Sequence, residues 1–148
     1  MLIGNRIFFE QVEAVLATGH EVKFLLRGHS MRPLMHDGRD TLVIAPVREE
    51  EMRVGEIVLF RYHERHILHR IIRRKGDQLV LAGDGNYHLK ECCSTADVVG
   101  RLVRVERKSG KVVHCDSPAW HIRSFCWLII PPFIRRCILS LMRHLGIG

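Results

Sequence analysis

The chain has 148 residues, enough for a single domain with a proper core. Lys and Arg outnumber Asp and Glu by 23 to 16, and the net charge of +7 favours acidic partners, nucleic acid or an anionic membrane surface without choosing among them. Cys92, Cys93, Cys115, Cys126 and Cys137 are odd in number and lack CxxC spacing, which excludes a disulfide framework or zinc site and points to free thiols in a reducing, cytosolic setting.

Glu10, Glu13, His20, Glu21 and Lys23 break up residues 1–26, so neither a signal peptide nor a membrane-spanning helix is expected there. Asn5 to Thr18 reads as a short helix with Phe8, Val12, Val15 and Leu16 on one face, Asn5 as its cap and Gly19 as its stop. Glu21 to Leu26 reads as a strand, followed by the bend Arg27-Gly28-His29-Ser30-Met31-Arg32-Pro33 and a turn to Asp40. Asp40–Ala45, ended by Pro46, and Ile57–Tyr62 are apolar strands. His63-Glu64-Arg65 is a hairpin tip, His66 to Arg74 the returning strand, and Gln78 to Leu81 the next one. Ala82 to Asn86 reads as a Gly-rich turn, Val98 to Val105 as a Val-rich strand, and Lys111 to Cys115 as a short strand after the Ser109-Gly110 turn. Many short strands with few helices predict a mainly β fold, a coiled antiparallel sheet or barrel over residues 1–118.

From residue 119 to 148 the composition becomes apolar and basic, with Trp127, Phe133 and Leu141 among Arg123, Arg135, Arg136 and Arg143. The longest uncharged run, Ser124 to Ile134, is too short to cross a bilayer and is broken by Pro131-Pro132. A helical tail packed on the β domain or on a partner chain is the first expectation. A cationic, Trp-bearing segment over residues 120–147, in peripheral contact with a membrane, is the second.

Gly28 can take backbone angles closed to other residues, while Pro33 fixes its own φ and restricts Arg32. Ser30, held between them, is presented on a defined bend as a nucleophile, provided a neighbouring base takes its proton. A serine near a proline turn also serves as a helix cap or local hydrogen-bonding group. His63, His66 and His69 are the nearby bases, and the odd spacing of His66 and His69 puts them on opposite faces of a regular strand.

Later stretches favour the chemical reading. Gly28-x-Ser30-Met31-x-Pro33, Gly38-x-Asp40, Val54-Gly55-Glu56-Ile57-Val58, His69-Arg70-Ile71-Ile72, Gly83-Asp84-Gly85-Asn86 and Val98-Val99-Gly100 follow one another in a set order. In order and spacing they resemble the signal peptidase I family, within the S24/S26 serine peptidase superfamily that also holds self-cleaving SOS-type repressors. The resemblance runs from Arg27 to Val105 and implies a largely β catalytic domain. One branch of the family uses a lysine base, but no lysine stands between Lys23 and Lys75. His69 matches the histidine of the endoplasmic-reticulum and archaeal branch.

The resemblance thus implies a serine endopeptidase that cuts a leader or signal-like peptide beside small residues. Ser30 is its nucleophile, His69 its general base and Asp84 its orienting carboxylate, with Gly28, Met31 and Pro33 against the substrate. Backbone N–H groups at the Ser30 bend are candidates for the oxyanion hole. Glu91 is the nearest substitute for the family's second acidic residue, and Gly28 stands where some members carry a serine. The family's N-terminal membrane anchor is not expected here, which suggests a specialised trimming task in the cytoplasm or at a membrane face. No metal or organic cofactor is implied. A catalytically silent peptide-binding module is one alternative. The other is a nucleic-acid or anionic-surface binder using Arg27, Arg32, Arg39, Arg70, Arg73 and Arg74, although scattered cations usually make a solvated face.

Overall fold

A computed structural model describes residues 6–146. Its centre is one antiparallel sheet of eight strands: β1 (Val22–Leu25), β2 (Asp40–Ala45), β3 (Ile57–Tyr62), β4 (Arg65–Lys75), β5 (Gln78–Gly83), β6 (Asn86–Ser94), β7 (Val98–Arg107) and β8 (Val112–His114). Their order is β1-β2-β7-β3-β4-β5-β6, with β8 paired to β7. Helix α1 (Arg6–Ala17) precedes the sheet, and α2 (Pro118–Ile129) and α3 (Pro132–His144) follow it. The fold is mainly β with a short N-terminal helix and a helical tail, as the strand count and turn signals predict.

The apolar strands β2 and β3 begin and end at the residues read from the sequence. Both are buried along most of their length, so a continuous apolar run marks them. β6 is the strand the sequence hides. The expected turn Ala82–Asn86 shrinks to Asp84-Gly85, because β5 continues through Gly83 and β6 starts at Asn86. β6 is an edge strand with His88, Leu89 and Lys90 exposed, so it lacks the alternation that one buried face imposes.

The sheet encloses two cores. The larger joins Phe9, Val12 and Leu16 of α1 to Leu42 and Ile44 of β2, Leu59 of β3, Leu102 and Val105 of β7, and Trp120 of α2. The smaller gathers Val58, Phe60, Ile71, Leu79, Leu81 and Cys93 with Met52. α1 presents Phe9 rather than Phe8 as its buried aromatic residue, and Val15 is 40% exposed. Gly19 ends the helix at φ +86°, its N–H donating to the Leu16 carbonyl. Asn5, expected to cap this helix, lies outside the described residues.

Candidate active site

The Ser30 bend is held from both ends. Below it, Leu26 before the serine and Met31, Leu34 and Met35 after it are buried in the larger core, so the chain on either side of the serine cannot drift. Met31, expected to touch substrate, spends its side chain in that packing and is 1% exposed. At the rim, Gly28 sits at φ +98°, where a Cβ would be strained, and its N–H donates to Asp37 Oδ1 at 2.9 Å. The Leu26 N–H donates to the Asp40 carbonyl, and the Gly38 N–H to that of Leu26, closing the loop on itself. Asp40 is 2% exposed and accepts from the His36 N–H and the Arg107 guanidinium, which also donates to the Leu34 carbonyl. Pro33, the remaining expected substrate contact, follows a cis peptide bond from Arg32. Ser30 itself is partly exposed.

His69 stands on β4 opposite Val58 of β3, with 4% of its surface exposed. Its Nδ1 lies 2.8 Å from Glu91 Oε2 on β6, while its Nε2 is buried and has no hydrogen-bond partner. Burial holds the imidazole's pKa below its ordinary value, against the smaller opposing pull of the Glu91 carboxylate. The ring is therefore neutral at neutral pH, with one nitrogen committed to a carboxylate and the other free. His66 takes the other face, as its spacing requires: it stacks on Phe9 with centroids 4.2 Å apart and meets Glu13.

Gly83 shows that Ser30 and His69 converge. The point where a Cβ on Gly83 would stand is 2.9 Å from His69 Nε2, 3.1 Å from Ser30 Cβ and 2.5 Å from the Ser30 carbonyl oxygen. Ser30 and His69 thus face one small space that only glycine leaves open. Gly83→Ala is expected to push the serine loop off this position and lower kcat/KM roughly 10²-fold or more, the usual cost of misplacing a reacting group by an ångström. Steady-state assays beside a thermal melt would check it. A fully active Gly83→Ala enzyme would show that the loop tolerates the shift.

Asp84, expected to orient His69, is bonded elsewhere. It is 3% exposed and receives two hydrogen bonds from Arg70, Nε to Oδ1 at 2.8 Å and Nη2 to Oδ2 at 2.7 Å. Arg70 is fully buried and also donates from Nη1 to the Gly55 carbonyl. It is therefore not one of the surface cations with which its sequence groups it. Arg74, another of that group, is engaged by Glu49 and by the Gly76 and Met52 carbonyls. The Arg70–Asp84 pair fixes the β5–β6 turn, whose next residue, Gly85, donates its N–H to the Ser30 carbonyl at 2.7 Å. Trp127 of α2 donates to the Asp84 carbonyl from outside. Asp84 and Arg70 thus brace the turn that meets Ser30.

The remaining lysine candidate, Lys75, pairs with Gln78 at the far end of β4, about 20 Å along the strand from His69. A cavity of about 360 Å³ opens beside Gly83, walled by Ile72, Ala82, Tyr87 and Leu128, with Lys90 and Arg135 at its polar side.

Residues 9–103, nearly two thirds of the chain, match the family model described as Peptidase S24-like, and the chain belongs to that family. No curated protein matches the chain. Membership makes the domain a peptidase-type hydrolase with a serine-protease fold. β8, α2 and α3 lie outside the matched residues.

Proposed function

We propose that this member of the Peptidase S24-like family is a serine endopeptidase of the Ser/His type, similar to signal peptidase I, that trims a leader or signal-like peptide beside small residues. The observation that carries the reading is the state of His69: one ring nitrogen is held by Glu91 and the other is buried, unpartnered and turned to the space it shares with Ser30. Catalytic hydrogen bonds are often long before substrate binds, so the absence of a bond to Ser30 Oγ is no obstacle.

In this mechanism His69 Nε2 takes the Ser30 Oγ proton as the oxygen attacks the scissile carbonyl carbon. Glu91 keeps the proton-bearing Nδ1 oriented and stabilises the imidazolium as it forms. The Ser30 and Met31 N–H groups bond no acceptor among the described residues, which leaves them free to hold the oxygen that becomes negative. The imidazolium then protonates the leaving amine, the C–N bond breaks, and an acyl-Ser30 remains. Water, deprotonated by the same nitrogen, attacks this ester, and the proton returns to Ser30. Glu91 fills the role that the resemblance gives to Asp84.

Peptide binding follows from the sheet. β1 and β6 end the main path of the sheet, β1 runs into the Ser30 bend, and β6 carries Glu91. An extended peptide added along β1 would reach the serine, held by main-chain bonds with alternate side chains in pockets. The cavity beside Gly83 offers an apolar wall for one of them.

A peptide library with small residues flanking the bond, read by mass spectrometry, tests the activity. A fluorophosphonate probe tests the nucleophile in the same sample. The expected result is cleavage at small residues and an adduct on the peptide that contains Ser30. Neither cleavage nor adduct, with or without lipid, would leave a peptide-binding module of the same fold.

A further inference from the structure

We infer that the elbow of α2 and α3 docks this protein on an anionic lipid surface, with the catalytic space held at the edge of the docked face. The elbow belongs to the chain's own addition beyond the family match.

α2 buries Trp120, Ser124 and Trp127 and leaves Ile122, Phe125 and Ile129 at 62%, 63% and 61% exposure on its other side. α3 buries no residue, and Phe133, Leu141 and Leu145 are 60% exposed or more. Large apolar side chains at this density on an outer face mark a contact surface. No single helix among the described residues is long and apolar enough to cross a membrane, and the two are bent by 111° at their junction. They fit an interface better than a span.

Charge selects the occupant. Residues 117–148 hold four arginines and no Asp, Glu or Lys, and so contribute +4 of the chain's +7. Elsewhere the cations are nearly balanced by carboxylates, and several are paired, as in Lys23–Glu106, Arg61–Glu13, Arg101–Asp116 and Arg104–Glu21. Arg123, Arg136 and Arg143 are exposed and form no ion pair among the described residues. Exposed apolar side chains interleaved with unpaired arginines match the acyl boundary and headgroups of an acidic leaflet. A second copy would set one all-cationic face against another, which a self-complementary interface disfavours.

The elbow is also rigidly joined to the site. Arg135 donates to the Leu128 and Ile130 carbonyls and lies over the rings of Trp127 and Tyr87. Tyr87 donates its hydroxyl to the Pro132 carbonyl, and Trp127 its indole N–H to Asp84. These are residues of the turn and strand that face Ser30, so a docked elbow brings the catalytic space next to the lipid.

Flotation of the full chain with phosphatidylcholine vesicles, with and without phosphatidylglycerol, tests this. Binding is expected only with phosphatidylglycerol, and release at high salt. The triple variant Arg123→Gln/Arg136→Gln/Arg143→Gln should bind roughly a hundredfold more weakly, at about fivefold for each arginine. Phe125→Glu/Phe133→Glu should also stop floating while melting at the wild-type temperature, since both side chains are exposed. Ser30→Ala should float like wild type, which separates this inference from the catalytic reading. Equal binding to both vesicles, no binding to either, or a dimer that Phe125→Glu disperses without any vesicle binding would each overturn it.

Discussion

Ser30→Ala and His69→Ala are each expected to lower kcat/KM by about 10⁴- to 10⁶-fold, and the double variant little further, because the two act as one unit. Without the hydroxyl there is no acyl-enzyme; without the imidazole nothing takes the proton. Glu91→Gln should be milder, about 10²- to 10⁴-fold, since the base survives but loses its orienting acceptor. The pH profile distinguishes this role from simple packing. The neutral imidazole is the active form, so activity rises with pH through the His69 pKa, which burial holds below its ordinary value. Wild-type activity should therefore persist into mildly acidic solution. Glu91 pulls that pKa upward, so the acidic limb of Glu91→Gln should move to still lower pH while the plateau falls. A limb that moves upward, or Glu91→Gln at wild-type rate, would remove Glu91 from the mechanism.

Arg70→Leu should cause the largest loss of stability. It leaves the Asp84 carboxylate buried with its two charged donors gone, and breaking one side of a buried pair costs about 3–5 kcal/mol. For a chain of this size that lowers Tm by about 10 °C. Arg70→Leu/Asp84→Leu should recover much of the stability, because the orphan charge goes too. Its activity should stay low, because the turn that carries Gly85 against Ser30 has lost its clamp. Calorimetry and steady-state kinetics on both variants check this. An active double variant would reduce the pair to a packing feature.

Much of this was legible in the chain. β2 and β3 declared themselves as apolar runs, and Pro131-Pro132 marked the break between α2 and α3. That Ser30 sits on a bend and that His69 and His66 take opposite faces of β4 were readable, because a Gly and Pro bend and the spacing of two histidines along one strand are local features. The choice between Asp84 and Glu91 was not local. It turns on how far β5 extends, on the irregular pairing between Ala82 and Gly83, and on Arg70 claiming Asp84 first. The clue to that claim was available: a charged residue amid Ile67, Leu68, Ile71 and Ile72 has no solvent to face and needs a partner. β6 left no comparable clue, because one exposed edge imposes no period on its residues.

The strand order carries a consequence for the chain as it is made. β2, which follows Ser30, and the β3–β4 hairpin, which bears His69, share no ladder; β7 lies between them and pairs with both. Those residues leave the ribosome well after Ser30 and His69. Until they insert, serine and histidine belong to two separate hairpins. The nascent polypeptide is thus expected to hold Ser30 and His69 apart until the last long strand joins the two halves of the sheet.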